Sequence, residues 1–503
     1  MMDILLKLKS CNSFLGDNMD YYNEKVNNNT NSYLEELIFL ANQGNSHAQY
    51  ELGYKYEKGK EVLRDYKKAF RLYKKAAEGG HIPAICSLGS LYENGCGVVR
   101  DYVVAVKYYN TAAEQGDIFA IFNLGRLFLD GLGVPKDYNR AMQLFRSVVV
   151  SLQNESNQGS ARAQSALGFM YLNGYGVSKD YNRCFDLFQK SAKQMDNRGI
   201  CNLGYMYENG YGVKKDISKA IEWYEIASEQ DYDWAQNRLG WIYLNGVNGS
   251  VYYGKAFDYF SQAAPKGNCN AQANIGWMYE NGYGVIKDIC KAIEWYNIAS
   301  NQGNDWAQNR LGWMYLDGIN VQKNYNIALT LFYKAANQDN MDAEYNLGYM
   351  YENGLGIPRD LVRAVDYYAR SSKKGCSDAQ NNLGYMYMTG LGVSKDYTKA
   401  IDLFRKAADQ ENEFAQNNLG LMYLNGNGVE KKYDVAVSLF IKAADKGVVD
   451  AMLNLYIVYS GAVSILYKKT DIANVWYKKA VDTLNPGGER TVKKLLKEKG
   501  FIR

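Results

Sequence analysis

The chain repeats itself every 36 residues. An alanine opens each unit at Ala48, Ala84, Ala120, Ala163, Ala235, Ala271, Ala307, Ala343, Ala379, Ala415 and Ala451, with Gly199 in the same phase. One interval, from Ala120 to Ala163, is 43 residues and places a seven-residue insertion around Ser147 to Gln158. A unit this short cannot bury an apolar face by itself, so neighbours must stack and the 503 residues form an array rather than one globular core. Five prolines, 47% hydrophobic and 14% aromatic residues exclude wholesale disorder.

Numbering each unit from its opening residue, position 6 is glycine in eleven units, from Gly53 to Gly420, and position 9 is aromatic, from Tyr56 to Tyr423. A Gly-x-Gly-Val turn follows, as in Gly95 to Val98, Gly210 to Val213 and Gly390 to Val393. The second turn glycine is lost at Val247 to Tyr253 and Ile319 to Val321. Position 18 is Asp in eight units (Asp65, Asp101, Asp137, Asp180, Asp216, Asp288, Asp360, Asp396), which suits a helix N-cap, and the glycine before it suits the end of the preceding helix. Position 22 is Ala in ten of these eleven units and position 26 is always Tyr or Phe, spacing that puts both on one helix face. Each unit is therefore helix, glycine turn, helix, and the class is all-α. Residues 204 to 246 and 276 to 318 match at 34 of 43 positions, the trace of a duplicated two-unit block.

The ends depart from the pattern in the way that array caps do. Residues 1–32 read as a loose leader, 33–47 as half of a unit, 48–450 as eleven full repeats, 451–484 as a degenerate twelfth and 485–503 as a short capping helix with Val492, Leu495 and Leu496 on one side.

The composite A-x-x-x-L-G-x-x-Y, G-x-G-V, D-Y-x-x-A and W/L-Y/F-x-x-A-A resembles the Sel-1-like repeat family, relatives of the tetratricopeptide repeats, over roughly residues 34 to 484. The resemblance implies a right-handed α-solenoid superhelix of about twelve helix-turn-helix repeats, used as an adaptor in protein complexes. It names no partner.

Catalysis needs one singular constellation, whereas nearly every polar position here recurs each 36 residues. His47 and His81 fall in different phases of a unit and have no supporting cysteines, which argues against a metal shell. The eight cysteines show no recurring pairing and are expected to be reduced thiols; Cys184 and Cys290 stand where sister units carry Ala or Ser. The Gly-x-Gly turns follow helices and lack the third glycine of a phosphate loop. With 58 basic and 54 acidic residues interspersed, no field recruits nucleic acid or an anionic membrane. The first ten residues carry too short an apolar run for a secretory signal, so the sequence leads to an intracellular, cytoplasmic expectation, and the sequons at Asn28, Asn154 and Asn248 carry no weight.

Function is then expected where the units vary. If the first helix of each pair lines a concave groove, as the resemblance implies, position 7 presents Tyr205, Trp241, Trp277, Trp313, Tyr349 and Tyr385, and the residue before the opening alanine adds Trp234 and Trp306. Position 10 supplies Glu208, Glu280 and Glu352, acids that would favour basic groups on a ligand. Trp241, Trp277 and Trp313 share a phase in three successive units and are expected to form a continuous strip. The reading is a monomeric, non-enzymatic scaffold that binds a protein or peptide along this face, with no cofactor, no metal, no nucleic acid and no membrane insertion. The alternatives are a regulatory subunit of a membrane-associated enzyme complex and, further off, a hydrolase.

Overall fold

The computed structural model describes residues 33–59, 61–247, 249–464, 467–484, 488–499 and 501. The expected leader, 1–32, lies outside them. The chain divides into two compact units, Met1–Ala292 and Ile293–Arg503, whose border falls inside the helix Ile289–Asn301. Among the described residues the regular structure is helical throughout, and the single extended feature is a bridge between Val247 and Ser250 in a turn that lacks its second glycine. The architecture is a tandem-repeat α-solenoid of antiparallel helix pairs.

Most helices begin at a side chain that completes orphan backbone groups of the first turn. All eight aspartates at position 18 cap the second helix, their carboxylates accepting the amide three residues on at 2.9–3.0 Å. Most first helices are capped by residues three before the opening alanine, such as Asn45, whose Oδ1 accepts from Ala48 N at 2.9 Å, and Asp117, Ser160 and Asn340 in the same role.

Within a pair the helices touch through the position-6 glycine and the position-26 ring. A Cβ built on Gly204 would lie 2.6 Å from the Tyr224 ring, which is why that position carries no side chain. The rings themselves, from Tyr73 to Phe440, are completely buried. The second turn glycine serves the previous repeat: Gly97 holds φ +73, and a Cβ there would stand 2.5 Å from the carbonyl oxygen of Tyr66. Between repeats, glutamine at position 2 reaches back to the end of the preceding helix, as in Gln49 Nε2 to Ala41 O at 3.0 Å and Gln272 Nε2 to Ala264 O at 2.9 Å.

The insertion is absorbed as helix. The second helix of the third pair, Tyr138–Asn157, has 20 residues where its sisters have 11 to 14, and it buries Val148 and Leu152 on the added length. At one end, residues 33–42 form a helix that covers Ala48 and Leu52 with Leu37 and Ala41. At the other, the helices Val449–Tyr459 and Thr470–Thr483 are followed by Gly488–Glu498, which buries Val492 and Leu496 in a core shared with Leu455 and Trp476.

The first unit also makes contacts well beyond nearest neighbours. Arg64 Nη1 donates to the carbonyl of Gln230 at 2.8 Å, across 166 residues, and lies 3.8 Å from the Asp231 carboxylate. Arg100 stands 4.0 Å from Asp233. The turns of the first two repeats therefore meet the end of the fifth, and this unit curves tightly enough to close on itself.

Candidate functional site

The side chains of variable aromatic positions lie at the surface, while the framework rings do not. Trp241 (42% exposed), Tyr385 (43%), Trp234 (40%), Tyr349 (39%) and Trp306 (37%) stand in contrast to the 0% of Tyr224 and Tyr368. Tyr205, Trp277 and Trp313 are half-buried. Trp234 packs edge-on against Tyr224 at 5.8 Å and Trp306 against Tyr296 at 5.5 Å, so each indole is held at one side while more than a third of its surface stays exposed. Arg238 lies 4.6 Å over Trp241 and Arg310 lies 4.5 Å over Trp313, which fixes those indoles by cation–π contact. Trp241 and Trp277 belong to the first unit and Trp313 to the second.

The position-10 acids are committed within the chain. Glu208 accepts from Tyr224 Oη at 2.8 Å and from Arg238 Nε at 2.8 Å; Glu352 accepts from Tyr368 Oη at 2.7 Å; Glu280 is buried. These carboxylates stabilise the repeat, so the expectation that they favour basic groups on a ligand finds no support in their geometry.

Sequence reasoning passed over a cavity of about 220 Å³ in the first unit, walled by five successive first helices. Ile82–Asn94 contributes Glu93, Ile118–Asp130 contributes Phe122 and Arg126, and Ala161–Asn173 contributes Phe169. Asn197–Asn209 adds Arg198, and Trp234 closes the wall with the preceding Tyr232. Arg126 Nη2 donates to Glu93 Oε1 at 3.0 Å and Tyr109 Oη to Glu93 Oε2 at 2.6 Å. Burial alone would raise the Glu93 carboxyl, but Arg126 and then Arg198, with the Tyr109 hydrogen bond, hold it below the usual carboxylate range. No carboxylate lies within ion-pair distance of Arg198 among the described residues. The available signal was a change of type: Arg126 occupies position 7, which is aromatic in eight other units, and Arg198 the position before the opening residue, where Trp234 and Trp306 stand in later units.

The remaining groups carry no such assembly. Among the described residues no three His, Cys, Asp or Glu side chains gather as a metal site would require. The seven described cysteines are free thiols, and burial pushes the Cys86 thiol up to about 11 and Cys184 to about 12, away from nucleophilic use. His47 and His81 are 5.7 Å apart by ring centroid, with His81 stacked on Tyr50 at 4.5 Å. No helix among the described residues is long and apolar enough to cross a membrane.

Among solved structures, the chain is similar to a protective antigen present in uropathogenic Escherichia coli strains that displays an SLR fold. The two share 32% identity over 92% of this chain and 97% of that one, with a TM-score of 0.53. A Sel1 repeat protein from Oxalobacter formigenes shares 29% identity over 63% of this chain and 90% of its own, with a TM-score of 0.45. No curated protein matches the chain. The Sel1 repeat pattern is matched in eleven segments between residues 46 and 448, in register with the helix pairs, and the chain belongs to the Sel1 repeat family.

Proposed function

We propose that the chain is a non-catalytic scaffold that holds a partner protein or peptide against the exposed sides of its first helices. Sel1 repeat proteins are in general protein-interaction scaffolds. The observation that carries the reading here is the division of aromatic labour: rings at position 26 are wholly buried and hold the fold, whereas Trp234, Trp241, Trp306, Tyr349 and Tyr385 expose more than a third of their surface at recurring phases that the core does not require. Half-exposed, pre-ordered Trp and Tyr are the side chains that dominate interface energetics. In this reading Tyr205, Trp277 and Trp313 flank the contact within their own units, and Glu208, Glu280 and Glu352 support it from beneath.

The test uses paired alanine variants of the full chain, Trp234→Ala with Trp241→Ala in the first unit and Tyr349→Ala with Tyr385→Ala in the second. Photo-crosslinking in the native cell identifies the partner, and affinity is then measured with it purified. Each pair should weaken binding by about 2 kcal/mol or more with little change in melting temperature. Undiminished affinity in both pairs would refute the reading.

A further inference from the structure

We propose that the cavity of the first unit takes a carboxylate of the partner polypeptide, seated on Arg198, with the neighbouring apolar side chain lodged among Trp234, Phe122 and Phe169. This rests on the scaffold reading and assigns it a chemistry. Three charged groups line the cavity: Glu93 and Arg126 neutralise one another at 3.0 Å, which leaves Arg198 as the net charge. Asp233, next along the chain from Tyr232, is engaged by Asn268 at 2.9 Å and stands 4.0 Å from Arg100.

The duplicated block gives an independent argument. At the N-cap of the helix that carries Trp241, the copy 72 residues on has Asn304, whose side chain accepts from Ala307 N at 2.8 Å. The first copy has Tyr232 there, which makes no side-chain cap and lines the cavity instead. The preceding residue is Gly303 in one copy and Asp231 in the other. Asp231 holds φ +64, as Met195, Asp339 and Glu411 do at the same position of their units, and pairs with Lys266 and Arg64. Of the few differences between the near-identical copies, the change to Tyr232 thus gives up a helix cap at the wall of this cavity, as sites shaped for binding do.

Size and charge select the occupant. A volume of about 220 Å³ exceeds the roughly 150 Å³ that admits a benzene ring, so a carboxylate with one apolar neighbour fits. One uncommitted guanidinium matches one carboxylate in bidentate geometry. A nucleic-acid phosphate chain would need a track of cations, and the cavity offers one net positive charge.

The test is selection of random dodecapeptides on the full wild-type chain, followed by affinity measurement on Arg198→Gln. Recovered peptides should carry Asp, Glu or a free C-terminus beside an aromatic or aliphatic residue, and should bind Arg198→Gln at least tenfold more weakly. Amidated and Asp→Asn versions then tell a terminal carboxylate from a side-chain one. If Arg198→Gln does not fold, the same peptide changes measured on the wild-type chain read the contact directly. Peptides that are basic or neutral and indifferent to Arg198 overturn the carboxylate assignment and leave the scaffold reading standing. Displacement of the peptides by a dT12 oligonucleotide at matched ionic strength also overturns it. Recovery of no peptide at all removes the scaffold reading with it.

Discussion

Tyr224 donates its hydroxyl to Glu208 at 2.8 Å, and these two positions vary together along the chain. The same bond joins Tyr73 to Glu57, Tyr109 to Glu93 and Tyr368 to Glu352 at 2.6–2.7 Å. Wherever position 26 is Phe, position 10 is apolar: Leu129 with Phe145, Leu172 with Phe188, Leu244 with Phe260, Leu316 with Phe332, Met388 with Phe404 and Leu424 with Phe440. A buried phenol needs an acceptor and a buried ring without one does not, so the repeat has two self-consistent solutions.

The pair at Tyr368 and Glu352 allows a direct test, because the next repeat offers Asn382 there, as it does beside several Phe units. Glu352→Leu alone leaves the proton of a wholly buried hydroxyl without its acceptor and should cost about 1–3 kcal/mol. Tyr368→Phe alone should cost about 1–2 kcal/mol. The double variant recreates the other solution and should recover most of both losses, read from urea unfolding midpoints as a double-mutant cycle. Additive losses would show that the covariation has another cause.

Two glycines with similar backbone angles should respond differently to alanine. Gly80 holds φ +79 with nothing within 4 Å of a built Cβ, so Gly80→Ala should cost only the left-handed strain of about 1–2 kcal/mol. Gly97, at φ +73, adds a clash with backbone of the previous repeat, and Gly97→Ala should cost at least about 1 kcal/mol more. Thermal melts of the two variants check the order.

Glu93 contributes stability that depends on pH. Its folded pKa is depressed, so its contribution is fully present above its unfolded pKa of about 4.3 and is lost as pH falls through the folded value. Glu93→Gln should destabilise the chain by about 3 kcal/mol at pH 7, because Arg126 loses its buried partner. Urea unfolding of both proteins at stepped pH should show the gap narrowing below pH of about 4. A gap that stays constant into acid would mean that the charge of Glu93 is not what stabilises.

Deletions should expose where the array is additive. Removing 343–414, two whole repeats of the second unit, joins helices in phase and should leave a folded protein of lower stability. Removing 204–275 from the first unit also deletes Gln230, Asp231 and Asp233, the partners of Arg64 and Arg100, together with part of the cavity wall. That deletion should cost more than its repeats alone account for. Circular dichroism and urea unfolding of the two deletion variants, equal in length, give the comparison.

The sequence by itself determined the repeat. The 36-residue period, the aspartates at position 18 and the glycines at position 6 are local or single-pair requirements, and each was legible because eight or more copies display it. Even the Tyr–Glu pairing was written in the covariation of positions 10 and 26, although position 10 was read as a groove acid because polarity alone does not say which way a helix face turns. What only the tertiary structure decided was the closure of the first unit. Arg64 meets Gln230 across 166 residues and Glu93 and Trp234 line one cavity because small rotations between successive repeats accumulate, a geometric sum that no single repeat encodes.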